Sequence, residues 1–235
     1  LTSCQAATPS IELLRTFSHQ TDAFTQGLVY SDGRLFESTG LYGRSSLREL
    51  DPLTGEVIRQ LDLDDRYFGE GLELVGTELV MLTWQEGEAL VFDRDTFEQT
   101  ATFAYEGQGW GLCHDGNSLI MSDGSATLQY RDSTTFELLD TVTVTYNGNP
   151  LRNLNELECV DGNVYANVWL TTYIVRIGEG GAISAVYDLQ NLLTPGEWAE
   201  LGPDAVLNGI AWIEESQSFL VTGKLWPKMF ELRLN

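Results

Sequence analysis

Histidine and cysteine are scarce in this chain, with two of the first and three of the second among 235 residues. Two histidines leave little room for a zinc centre, and Cys4, Cys113 and Cys159 form no CxxC spacing, so neither metal nor redox chemistry has a sequence signature. Three cysteines are also too few for a disulfide framework. Long apolar runs are missing as well: nothing approaches the ~20 residues of a spanning helix, which argues against an integral membrane protein. Basic residues are outnumbered, 13 Lys+Arg against 35 Asp+Glu, and the net charge of −22 opposes nucleic acid and anionic lipid as partners. Beyond that the acidity describes a solvated surface and names no substrate. No segment carries a long apolar helical period; a short helix is expected only between Asp188 and Glu200.

What is present is 43% hydrophobic and 11% aromatic residues, enough for one sizeable core. Residues 1–10 read as a tether and 11–235 as a single domain. Leu1-Thr2-Ser3-Cys4 resembles the end of a bacterial lipoprotein signal, in which Cys4 would be acylated; a chance L-x-S-C is the alternative. The lipoprotein reading predicts a bacterial periplasm or cell-envelope location.

Self-similarity organises the rest. Five segments share a start: Phe24-Thr-Gln-Gly-Leu28, Phe68-Gly-Glu-Gly-Leu72, Gly109-Trp-Gly-Leu112, Asn155-Glu-Leu157 and Asn208-Gly-Ile210. The equivalent positions Leu28, Leu72, Leu112, Leu157 and Ile210 are spaced 44, 40, 45 and 53 residues apart, which is the length of a propeller blade. After each start comes a turn, Asp32-Gly33 or Asp161-Gly162 for instance, and a second alternating apolar run: a hairpin signal. A second hairpin follows in the first four copies, with turns at Asp51–Gly55, Asp93–Thr96, Asp132–Thr135 and Gly178–Gly181. The fifth copy ends one strand short, and Ile11–Phe17 precedes the first copy without a partner. The prediction is an all-β, five-bladed propeller of four-stranded antiparallel blades, its ring closed by the N-terminal strand. A two-sheet sandwich is the alternative, disfavoured by one recurring offset.

In a propeller the shared starts converge at one mouth. They bring Phe24, Gln26, Phe68, Glu70, Trp110, Asn155 and Asn208 together, joined by Trp84, Trp169 and Lys224 at the ends of second strands. The result is a mostly apolar pocket with a few polar groups. The strings DAFTQGL (22–28), ESTGLYGRSSLR (37–48), FGEGL (68–72), LTW (82–84), GWGL (109–112), NELE (155–158), NVW (167–169) and LNGIAW (207–212) resemble those of the plant and bacterial type of glutaminyl cyclase, over about His19 to Leu232. The resemblance implies a five-bladed propeller that converts an N-terminal glutamine of peptides or proteins to pyroglutamate and releases ammonia, without metal or cofactor. It marks Glu70 as the acid/base, Gln26, Asn155 and Lys224 as polar partners, and Phe24, Phe68, Trp84, Trp110 and Trp169 as the pocket wall. Cys159, after NELE, stands where an aromatic residue is expected.

That residue set suits the chemistry. The α-amine attacks its own γ-carbonyl carbon, so no enzyme nucleophile is needed and the main demand is a near-attack arrangement. A single carboxylate can take the proton of the amine, whose ordinary pKa is about 7.7–8.0, and deliver it to the leaving nitrogen. Lys224 and Asn155 are candidates to stabilise the oxyanion. Elsewhere the plainer readings are preferred. Glu73 and Glu158 read as solvated or turn-capping carboxylates, Trp198, Trp212 and Trp226 as core, His19 and His114 as surface or turn residues, and Cys113 and Cys159 as buried free thiols. Gly107–Gly111 (GQGWG) looks like a phosphate loop, but no helix follows it. The competing functions are a non-catalytic peptide-binding propeller and a calcium-dependent lactonase-like hydrolase, which would need several inward carboxylates. The protein is expected to be a monomer.

Overall fold

A computed structural model describes residues 9–235; Cys4, and with it the lipidation reading, lies outside the described residues. Five four-stranded antiparallel sheets surround one axis. Blade 1 comprises Thr25–Ser31, Arg34–Thr39, Ser46–Leu50 and Val57–Asp62, and blade 2 Gly69–Val75, Glu78–Thr83, Glu88–Asp93 and Gln99–Ala104. Blade 3 comprises Leu112–His114, Ser118–Met121, Thr127–Asp132 and Leu138–Thr143, and blade 4 Leu154–Val160, Asn163–Val168, Tyr173–Ile177 and Ile183–Asp188. Blade 5 takes Leu207–Ile213, Ser218–Gly223 and Lys228–Leu234 from the C-terminus and its outer strand, Ile11–Ser18, from the N-terminus. Ile11 pairs with Leu234 and Ser18 with Lys228, which closes the ring as predicted. A six-residue helix, Pro195–Glu200, lies in the longest insertion and is capped by a reciprocal Thr194–Glu197 box. A two-residue ribbon, Thr145–Tyr146 with Asn149–Pro150, was not foreseen.

The turns form for the reasons their residues suggest. Asp51, Asp93 and Asp132 each accept hydrogen bonds from the backbone N–H groups two and three residues ahead, which folds the outer hairpin of blades 1, 2 and 3. Asp32-Gly33 and Asp161-Gly162 both hold positive φ, as a tight hairpin of the type expected requires. Leu28, Leu72, Leu112, Leu157 and Ile210 are all buried between neighbouring blades. Each such side chain stabilises the fold by roughly 1.5–3 kcal/mol.

The axis itself explains the glycine in the first three starts. A Cβ on Gly27 would stand 2.3 Å from the Leu72 nitrogen, one on Gly71 2.7 Å from the Leu112 nitrogen, and one on Gly111 2.0 Å from the Asn155 carbonyl oxygen. Inner strands therefore approach backbone to backbone, and only glycine fits between them. Blade 4 has Glu156 at this position. Its side chain is fully buried and crosses the axis: one carboxyl oxygen accepts from Leu28 N at 3.3 Å, the other from Ile210 N at 2.8 Å.

Several plain readings are corrected here. Glu73 and Glu158 are neither solvated nor turn caps. Each reaches the next blade, Glu73 accepting from His114 N and Glu158 from Trp212 N, and fills hydrogen-bonding positions between inner strands. His19 is buried rather than superficial, bonding Glu37 through Nε2 at 2.8 Å and the Trp226 carbonyl through Nδ1 at 2.9 Å. Cys113 and Cys159 are not free thiols: their inner strands bring them within bonding range, and they form a disulfide between blades 3 and 4. Trp226 is core, with Trp198 and Trp212 packed half-buried against the same cluster.

Candidate active site

A register shift interrupts the pairing of the inner strand in four blades, between Thr25 and Gly27, Gly69 and Leu72, Leu154 and Leu157, and Leu207 and Ile210. Each irregularity gives the inner strand one residue more than its partner and leaves unpaired the polar residue two before the buried Leu or Ile. Those residues are Gln26, Glu70, Asn155 and Asn208. The bend that ends each alternating run thus points polar groups into an otherwise apolar centre.

The first three open on a cavity of about 250 Å³ lined by Phe24, Gln26, Phe68, Glu70, Trp84, Trp110, Asn155, Trp169 and Lys224. Nine of the ten residues expected at the mouth therefore line it. Asn208 lies beneath them, buried, donating to the Thr25 carbonyl and to Gln26 Oε1. Leu170, Pro203, Asp204 and Val206 complete the rim. The last three come from the insertion that lengthens the final repeat spacing, and no repeat alignment reaches them. Tyr42 was also missed; its ring meets Phe68 edge-on at 5.4 Å and its hydroxyl donates to Glu86.

At the floor a relay of three side chains is defined by hydrogen bonds. Lys224 Nζ donates to Gln26 Oε1 at 2.7 Å, and Gln26 Nε2 donates to Glu70 Oε1 at 3.1 Å. The ammonium can only donate, so the orientation of the Gln26 amide follows. The same ammonium sits 4.7 Å from the centre of the Phe24 ring, a cation–π distance. Burial pushes the Glu70 carboxyl well above the usual carboxylate range; nearby Lys224 opposes the rise and Glu86 adds to it. Burial also pulls Lys224 down to about 8, against the attraction of Glu70 and Asp204. Burial thus makes the Glu70 carboxyl a stronger proton acceptor than an exposed one, and the Lys224 ammonium a stronger proton donor. Asn155 stands beside this pair with its Oδ1 buried and, among the described residues, without a hydrogen-bond partner, an acceptor open to the cavity.

The walls are rings. Phe24 and Phe68 pack edge to face at 6.1 Å, Phe68 and Trp84 at 5.4 Å, and Trp110 and Trp169 edge to face at 5.4 Å.

The glutamine cyclotransferase family profile matches residues 2–234. The chain belongs to that family. A glutaminyl-peptide cyclotransferase of Arabidopsis thaliana is 42% identical over 228 residues, covering 95% of this chain and 71% of the plant protein. The crystal structure of Myxococcus xanthus glutaminyl cyclase superposes with a TM-score of 0.90 at 36% identity, covering 98% of this chain and 99% of the bacterial one. The Neurospora crassa Pan2 WD40 domain, at 10% identity and a TM-score of 0.54 over 88% of this chain and 74% of its own, shares only the propeller fold. The cavity at the mouth of the ring carries one buried carboxylate, one buried ammonium and five rings. Among the described residues no cluster of three or more His, Cys, Asp or Glu is arranged to hold a metal ion.

Proposed function

We propose that this protein is a glutaminyl-peptide cyclotransferase acting on peptides and proteins with N-terminal glutamine, and that Glu70 is its acid/base. The observation that carries the reading is the relay Lys224–Gln26–Glu70 at the floor of an aromatic cup, with the carboxyl titrating above its usual range. The glutamine side chain is folded by Phe24, Phe68, Trp84, Trp110 and Trp169 until the α-amine nitrogen faces its own γ-carbonyl carbon. A C–N bond forms, Glu70 takes the amine proton, and the carbonyl oxygen gains negative charge. Lys224 and the Asn155 amide are the donors available to that oxygen, and a preorganised donor contributes roughly 3 kcal/mol. Glu70 then delivers its proton to the γ-nitrogen, the C–N bond to it breaks, and ammonia leaves with pyroglutamate retained on the peptide.

The reading is metal-independent, because a lone carboxylate beside a lysine ammonium is a poor cation site. A location in the periplasm or cell envelope is part of the same proposal. It is supported by the Cys113–Cys159 bridge, since disulfides persist in oxidising compartments.

Incubating the protein with a Gln-initiated dipeptide tests the activity: ammonia release that survives EDTA is expected, and a protein that binds the peptide without releasing ammonia would overturn it. Glu70→Gln should fold normally and lose on the order of 10²-fold or more in kcat. Near-normal turnover of that variant would remove Glu70 from the mechanism.

A further inference from the structure

The ring contacts that build the cup form two separate runs, Phe24–Phe68–Trp84 on one side and Trp110–Trp169 on the other. Between Trp84 and Trp110 the wall crosses from blade 2 to blade 3, and among the described residues no ring pairing spans that boundary. A single side chain does. Gln108 Oε1 accepts from Trp84 Nε1 at 2.9 Å and from Trp110 Nε1 at 3.0 Å. Indole nitrogens only donate, so the atom they share must be the amide oxygen, and both of its lone pairs are occupied.

The backbone around Gln108 is shaped for this. Gly107 holds φ +90°, and a Cβ on Gly109 would stand 2.3 Å from the Tyr105 hydroxyl and 2.9 Å from the Thr83 carbonyl oxygen. Gly109 N donates to the Trp84 carbonyl at 3.1 Å, which ties the segment to the end of the second strand of blade 2. The GQGWG string, which has no following helix and so cradles no phosphate, is instead a tight crossing that offers one amide oxygen to two indoles.

We infer that Gln108 is a positioning residue for the cyclisation: it locks Trp84 and Trp110 in one mutual geometry and joins the two halves of the aromatic wall. The inference rests on the cyclotransferase reading of this pocket. It assigns to Gln108 no contact with reacting atoms. Its effect is on how tightly the walls hold the glutamine side chain near its attack geometry, where small misplacements cost rate.

Gln108 is solvent-exposed, so its variants should fold. Gln108→Met keeps the length and removes the acceptor; Gln108→Glu keeps an acceptor oxygen. With Gln-initiated dipeptide, Gln108→Met should lose on the order of 10-fold in kcat/KM, mostly in kcat, and Gln108→Glu should recover most of it. In ¹H–¹⁵N spectra, two of the six indole N–H signals, assigned through Trp84→Phe and Trp110→Phe, should move in Gln108→Met and return in Gln108→Glu. Indole signals that stay in place in Gln108→Met, unchanged kinetics, or a Gln108→Glu variant as impaired as Gln108→Met would each overturn the inference. If the wild-type protein released no ammonia, the cyclotransferase reading would fall instead. The indole signals would then decide by themselves whether Gln108 holds the two rings.

Discussion

The most consequential residue beside Glu70 is Lys224, because two buried groups of opposite sign are coupled through one amide. Lys224 lowers the carboxyl pKa that burial raises, so removing its charge leaves burial and Glu86 unopposed. Lys224→Met should therefore shift the acid limb of the kcat/KM profile to higher pH, in addition to lowering the maximum. Since the base form of Glu70 is needed first, the rate rises with pH through the Glu70 pKa, and that rise comes later in the variant. A pH profile whose acid limb stays in place, or moves down, would show that Lys224 does not set the charge state of Glu70. Gln26, Glu70, Trp110 and Asn155 were legible in the sequence because each lies two residues before the shared Leu of its repeat, and Trp84, Trp169 and Lys224 because they follow second strands; repeats of a propeller share an axis. His19, Glu37 and Glu73 were not. His19 meets Glu37 eighteen residues away and Trp226 two hundred and seven away, and Glu73 meets His114 across a blade boundary. A local reading assigns such groups to the surface, because nothing nearby in sequence offers them a partner. Glu156 did leave a trace: the fourth start reads Asn-Glu-Leu where other copies have glycine, and that exception marks a side chain that bonds the inner strands of blades 1 and 5.

At the level of strands and blades, inner strands meet where no side chain fits, so cohesion there depends on what bridges them. Glu73, Glu156 and Glu158 are among the polar bridges, and one bridge is covalent. Cys113 lies three residues after Trp110 and Cys159 four after Asn155, and Ser122 Oγ donates to the Asn155 carbonyl at 2.6 Å within the same junction. The bridge spans a sequence separation of 46 residues, for which loop-closure entropy contributes about 4 kcal/mol. Reduced protein, or the Cys113→Ser/Cys159→Ser pair, should melt well below the oxidised form and lose activity before unfolding fully, since the loosened junction carries two pocket residues. Equal melting temperatures with and without dithiothreitol would show that packing alone holds blades 3 and 4. The blades themselves were readable because Asp-Gly turns and alternating runs recur at one offset. Less was readable between them: the ribbon at Thr145–Pro150 is two residues per strand, too short to show any periodicity, and the pocket rim at Pro203–Val206 has no counterpart in the other copies.

Over the whole molecule, a charge of −22 acts on a ring whose centre holds several carboxyls that resist ionising. Burial raises Glu70, Glu156 and Glu158 well above the ordinary range, and raises Glu73 to about 7 against the backbone N–H groups that bond it. For each, the folded chain binds a proton over a pH range in which the unfolded chain has lost it, so their stabilisation is present at low pH and is lost as pH rises from about 4.3. His19 adds the same sign. Burial opposes its charged form, but the charge and hydrogen bond of Glu37 and the Trp226 carbonyl outweigh that, leaving its pKa above 6.5. Its contribution is complete below 6.5 and fades above. Carboxylates held low, such as Glu37 and Glu49, contribute fully once pH exceeds about 4.5, and Lys224 begins to act in the opposite direction only above about 8. Between pH 5 and 8 the dominant trends agree, and mutual repulsion of surface carboxylates reinforces them. The melting temperature should therefore fall across that interval, by about 2–4 °C for each kcal/mol lost in a domain of this size. Added salt should restore more of it at pH 8 than at pH 5, because screening acts on exposed charges and leaves the buried proton equilibria nearly untouched. A melting temperature that climbs from pH 5 to 8 would mean that the central carboxyls are ionised in the folded ring, and that Glu156 bridges blades 1, 4 and 5 as an anion.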